Sequence, residues 1–179
     1  DSLGTSTTDT TCTACVEGVG YSVIHNANSC LPVSICADNA FETVAPTLTN
    51  DRLCEVLWVS LVVLDDTGYE GGQDEALLRV QLSAPQIQDV EVYYSLSGTA
   101  QEGADYILRG TDESLNGSVL IPAGETAIDI AVEPQVSSEM ETEESLFVRI
   151  EPTDFFEIEN QDATIRLLEY GPSNGQVYY

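Results

Sequence analysis

Lysine is absent from this chain, and histidine, methionine and tryptophan occur once each. Without lysine there is no Schiff-base amine, and the single histidine, His25, leaves little to act as a tuned general acid or base. His25 has no serine or cysteine in a nucleophile-elbow context, and neither Gly-x-Ser-x-Gly nor His-Glu-x-x-His occurs. Counting alone leaves a paired-carboxylate glycosidase open, but no pair of acids is marked out. The chain is therefore expected not to be an enzyme. Positive charge is equally scarce, since five arginines face 31 acidic residues for a formal net charge of −26. Nucleic acid and anionic membrane surfaces would be repelled. No run of about twenty apolar residues is present, so insertion into a membrane as a helix is not expected. The longest apolar stretch, residues 56–64, has the length of a buried strand.

What the chain has in excess is carboxylate. Such an imbalance destabilises a compact state by self-repulsion unless salt screens it or cations bind among the acids. Divalent cations or a saline medium are the natural companions. The alternative is that acidity serves only solubility.

All five cysteines, Cys12, Cys15, Cys30, Cys36 and Cys54, fall in the first third. Dense cysteine in a small polar segment is the pattern of disulfide-dependent folding in an oxidising compartment, which implies an extracellular location, secreted or at the cell surface. Zinc is the rival reading of Cys12-x-x-Cys15, but no second close pair accompanies it. The opening at Asp1 without methionine fits a leader already removed.

With 179 residues the chain suits one sandwich plus a smaller appendage. Residues 1–11 are a polar tail with almost nothing to bury. Residues 12–55 combine the cysteines with turn formers and little apolar periodicity, a loop-rich module held by cross-links. From residue 56 to 170 short β-rich runs alternate with turn signals, the spacing of an all-β sandwich. Strands are predicted near 57–64, 75–83, 90–97, 117–121, 126–133, 145–151 and 163–169. The alternation in residues 77–82 and 127–132 sets one face on a core and the other in water. Asn116-Gly117-Ser118 is both a hairpin turn and an N-glycosylation sequon, so Asn116 is a candidate glycan site. The tail, 171–179, ends in Tyr178 and Tyr179 behind a flexible spacer. It could add a strand to the edge of another copy, or fray as termini commonly do.

Four stretches in order carry a family resemblance over about residues 57–170. They are Tyr69-Glu70-Gly71-Gly72, Ser97 to Tyr106 (SGTAQEGADY), Gly117 to Thr126 (GSVLIPAGET) and Glu141 to Val148 (ETEESLFV). Together they resemble the Calx-beta repeat of sodium/calcium exchangers, integrin β4 and extracellular adhesion proteins. The resemblance implies an immunoglobulin-like antiparallel β-sandwich. In the calcium-binding members, acidic loop residues at one end of the sandwich form the metal site. Carried over by motif, Glu70, Asp105, Glu141 and Glu144 would be Ca²⁺ ligands, and carboxylates from several loops suit that hard cation. The sequence departs from the family where Val136-Ser137-Ser138 and Glu169-Tyr170-Gly171 stand in place of fuller acidic triplets. The alternative is a solvated, turn-forming acidic rim.

The region from Cys12 to Cys54 resembles a cysteine-rich module of the tumour-necrosis-factor-receptor type, on the segment from Cys15 to Cys30 around Gly18 and Tyr21, and that from Cys36 through Ala45 to Cys54. That resemblance implies bridges Cys15 to Cys30 and Cys36 to Cys54. It leaves Cys12 unpaired or bonded to another chain.

The function expected is therefore a structural or adhesive extracellular protein, the self-assembling subunit of a filament or surface appendage. Its contacts would come from the polar ends, Cys12, Tyr178 and Tyr179, building a homopolymer by head-to-tail packing. The alternatives are a monomeric Ca²⁺-binding adhesion or regulatory module, and a receptor ectodomain that binds a protein ligand. Extracellular protein or glycan partners are open in each case.

Overall fold

The computed structural model describes residues 15–23, 29–70, 74–110, 117–136 and 143–168. No described residue is helical, and the chain divides into two compact units at Val56/Leu57.

The first unit is built from two small antiparallel ladders. Strand β1 (Gly20–Tyr21) pairs with β2 (Leu31–Pro32), and β3 (Ala40–Val44) pairs with β4 (Leu53–Val56). Disulfides Cys15–Cys30 and Cys36–Cys54 tie these ladders, each with Cα atoms 5.6 Å apart. Cross-links of this kind form and persist in an extracellular or lumenal, oxidising compartment. They carry most of the burden here, because Gly20 is the sole buried residue described in this unit. Large apolar side chains stay in water, Ile35 at 89% and Val23 at 70% exposure among them. Polar contacts add local order: Asp51 accepts from the Ser34 amide (2.8 Å) and hydroxyl (2.5 Å), and Arg52 pairs with Glu42 at 2.6 Å. The Ser34 bonds hold the Asp51 carboxyl below the usual range. Cys12 lies outside the described residues.

The second unit is an immunoglobulin-like all-β sandwich, with ten strands among its described residues. They are β5 (Trp58–Asp65), β6 (Thr67–Tyr69), β7 (Ala76–Leu82), β8 (Val90–Gly98), β9 (Tyr106–Arg109), β10 (Ser118–Ile121), β11 (Ala127–Pro134), β12 (Glu144–Ile150), β13 (Glu157–Asn160) and β14 (Asp162–Leu168). One sheet runs β10-β8-β12-β14-β6 and the other β13-β5-β7-β11-β9. Period-two patterning fills the space between them. Strand β7 buries Ala76, Leu78, Val80 and Leu82, β12 buries Leu146, Val148 and Ile150, and β14 buries Ala163, Ile165 and Leu167. Each large aliphatic side chain buried in this way contributes about 1.5–3 kcal/mol.

Six of the eight pairings in the sandwich are antiparallel, and two at its margin are parallel: β13 with β5, and β14 with β6. The cause is a shared change of sheet. The chain leaves β5 after Asp65 and enters the opposite sheet as β6, while its last segment leaves β13 after Asn160 and enters that same opposite sheet as β14. The two segments run side by side in the same direction, joined at the crossing by the Arg166 amide on the Asp66 carbonyl at 2.8 Å. Register slips at Val63/Asp65 and Ile158/Asn160 supply the bends.

Candidate functional site

The acidic motifs converge on one end of the sandwich through backbone geometry. At the end of β8, Gly98 takes φ +130°, and a Cβ there would collide with the Ser145 carbonyl. That close approach lets Thr99 and Ala100 donate their amides to the Ser145 carbonyl (2.9 and 3.2 Å), while the Ser145 amide donates to Thr99 Oγ1 at 2.9 Å. The loop after β8 is thus clamped to the start of β12.

Asp105 closes that loop. Its Oδ2 accepts from the Gln101 amide at 2.6 Å, its own amide donates to the Gln101 carbonyl at 2.9 Å, and its carbonyl accepts from the Gln135 amide at 2.8 Å. Asp105 is 6% exposed; its carboxylate staples its own loop through Gln101, and its main-chain carbonyl ties that loop to Gln135 just past β11. Tyr106 beside it is 2% exposed, and burial, with the negative charges of Glu102 and Asp105 nearby, pushes its phenol up to about 12.

Glu70 follows β6 and is 5% exposed, with its amide on the Leu168 carbonyl at 2.9 Å. Glu144 stands across the ladder from Leu167, so these two acids flank the same end of β14. The third side is brought close by Gly68, where a Cβ would meet Pro134 Cγ at 2.7 Å, with Pro134 paired to Tyr106. Glu70, Asp105 and Glu144 therefore come to one end of the sandwich. Glu141 lies outside the described residues, as do Asn116, Tyr178 and Tyr179. Glu143, a neighbour not singled out from the sequence, meets Arg166 at 3.7 Å. Its place in the motif from Glu141 to Val148 was the available signal.

Among the described residues no three His, Cys, Asp or Glu side chains are grouped closely enough to hold a metal ion. The donor chemistry at this end is nonetheless that of a hard cation, oxygen from Asp and Glu with no described thiol or imidazole beside it.

Electrostatics sharpen the point. Every arginine is committed to a carboxylate: Arg52 to Glu42, Arg79 to Asp129, Arg109 to Glu133, Arg149 to Asp162 and Arg166 to Glu143. Arg79 and Arg149 grip directly opposite partners with two bonds each, at 2.6 and 2.9 Å and at 2.6 and 3.0 Å. Hydrogen bonds from Arg79, Arg109 and Arg149 hold the Asp129, Glu133 and Asp162 carboxyls, respectively, below their ordinary range. Only the Arg166 pair involves the loop segments described above.

No protein-family model matches the chain, and no curated protein matches it. Similar solved structures include the Calx CBD1 domain in its apo form, at 19% identity and TM-score 0.46, covering 63% of this chain and 98% of that one. Another is the calcium binding domain CBD12 of CALX1.1, at 19% identity and TM-score 0.45, covering 63% of this chain and 44% of that one. CBD12 from CALX1.2 gives 19% identity and TM-score 0.45, over 62% and 44%. The chain thus spans less than half the length of the two CBD12 structures.

Proposed function

We propose that this chain is a non-enzymatic module of a secreted or cell-surface protein, and that the acidic end of its sandwich binds Ca²⁺. The observation that carries the reading is the convergence of Glu70, Asp105 and Glu144 on one end of the sandwich, with Glu70 and Asp105 each more than nine-tenths covered. Ca²⁺ offers positive charge to carboxylate oxygens drawn from several loops without demanding rigid geometry. Glu70, Asp105 and Glu144, which are not grouped closely enough to hold an ion as they stand, would be drawn together with Glu141 on binding, and the bound ion would fasten the loops that end the sandwich. The four sequence motifs of Calx-beta character support the same assignment.

Calorimetric titration of the intact protein with Ca²⁺ tests it. The expected result is saturable binding that Glu70→Gln and Asp105→Asn each weaken. Heats no larger than those of an equal dose of Na⁺ would sink the proposal.

A second reading, self-assembly into a filament or surface appendage, is favoured by the first unit, which leaves Val16, Val19, Val23 and Ile35 each more than 60% exposed. In this reading the receptor-like cysteine module is the contact element. Sedimentation of the unreduced protein across a concentration series separates the two, since assembly raises the sedimentation coefficient with concentration and a monomer does not.

A further inference from the structure

The outer face of the second sheet carries a hollow that the acidic end does not use. Its volume is about 200 Å³, and Trp58, Ser60, Gln81, Ser83, Glu159 and Asn160 line it. Trp58 is the chain's single tryptophan and is 43% exposed. Local structure fixes the indole's strand: the Trp58 amide donates to Ser83 Oγ at 3.0 Å, and the Ser83 amide donates to the Trp58 carbonyl at 2.9 Å.

The polar side chains are gathered by a bulge. Strict alternation would send Glu159 and Asn160 to opposite faces of β13. Instead β13 advances two residues, from Ile158 to Asn160, while β5 advances one, from Val59 to Ser60. The bulge brings both Glu159 and Asn160 into the hollow, re-aiming a side chain as bulges do beside binding sites. Ser60 then has Asn160 on one side and Gln81 on the other, and its hydroxyl donates to Glu159 Oε2 at 2.8 Å. The side-chain amides of Gln81 and Asn160 have no hydrogen-bond partner among the described residues. Each offers a donor and an acceptor on one flat group.

We infer that this hollow is a binding site for a neutral saccharide. An exposed indole accepts the C–H face of a pyranose ring, and flat amides and a carboxylate at its edge match adjacent hydroxyls that both donate and accept. The volume falls below the roughly 300 Å³ at which pockets for drug-sized ligands begin, so it admits a single ring and leaves the rest of a glycan in solvent. Charge selects the class of sugar. The lining has one carboxylate and no basic group, on a protein of net charge −26, so sialylated, sulfated and phosphorylated glycans are repelled.

Because Trp58 is the only tryptophan, its fluorescence reports on this site alone. The experiment titrates the intact protein with methyl glycosides of glucose, mannose, galactose and N-acetylglucosamine to about 10 mM, tenfold above a millimolar Kd. The expected result is a saturable change in emission with at least one sugar. Asn160→Ala and Gln81→Ala, both at exposed positions, should each weaken it at least tenfold with the melting temperature unchanged. No saturable change with any of the four sugars would overturn the inference, as would a change that survives both substitutions. Emission that answers to extended peptides and to no sugar would also overturn it.

Discussion

Breaking the two disulfides should unfold the first unit and leave the sandwich standing. Cys15–Cys30 and Cys36–Cys54 close loops of 15 and 18 residues. Each closure is worth about 3 kcal/mol through the entropy it removes from the unfolded chain. A module of this length has about 3–8 kcal/mol in total at typical stability per residue, and this one buries only Gly20 among its described residues. Losing both cross-links, about 6 kcal/mol if they act independently, therefore removes most or all of its stability. The absence of lysine makes the assay selective, because trypsin then has only five arginines to cut after. Arg52 is the one in the first unit, and the other four lie in strands β7, β9, β12 and β14 of the sandwich. On adding reductant, cleavage after Arg52 should accelerate by about a hundredfold or more, the factor for 3 kcal/mol, while the sandwich strands stay intact. Equal cleavage rates after Arg52 with and without reductant would refute the reasoning.

Two further perturbations read out the sandwich. Gly98→Ala should cost about 2 kcal/mol or more, because alanine at φ +130° is strained and its Cβ meets the Ser145 carbonyl; a denaturant midpoint equal to wild type would contradict this. Tyr106, with its phenol raised to about 12, should give a late step in an absorbance titration, and Tyr106→Phe should delete it. Its contribution to stability is complete below pH 10, the unfolded value, and is lost as pH rises through about 12, so melting temperature should fall across that window less steeply in Tyr106→Phe.

The strands that could be read from the sequence were those with strong apolar alternation. Residues 77–82 and 127–132 show it, and β7 and β11 formed there; runs of the same kind marked β5, β8, β10, β12 and β14. Three described strands of the sandwich left no such mark, like the four short ones of the first unit. Strands β6 (Thr67–Tyr69), β9 (Tyr106–Arg109) and β13 (Glu157–Asn160) are three or four residues long and sit at sheet edges, where one flank is open and polar residues such as Glu157 and Glu159 are tolerated. The parallel margin was hidden for a related reason, since a change of sheet between Asp65 and Thr67 depends on long-range pairing with β14 and not on local pattern. At the acidic end, the motifs named Glu70, Asp105 and Glu144, and strand pairing brings these three to one end of the sandwich. That Asp105 staples its own loop was not legible, because its partners are the backbone amide of Gln101 and, through its carbonyl, that of Gln135. The hollow at Trp58 was equally hidden, being assembled by a bulge across three strands.

The claim that the acidic end takes Ca²⁺ is tested most directly by thermal melting of the unreduced protein in chelator and in Ca²⁺, at ionic strength matched with NaCl so that screening is constant. A ligand held only by the folded state, supplied at a hundred times its Kd, adds about 2.7 kcal/mol, which for a sandwich of this size is about 10 °C. The account predicts that rise for the wild type and its loss in Asp105→Asn. Coincident melting curves in chelator and Ca²⁺ would contradict it.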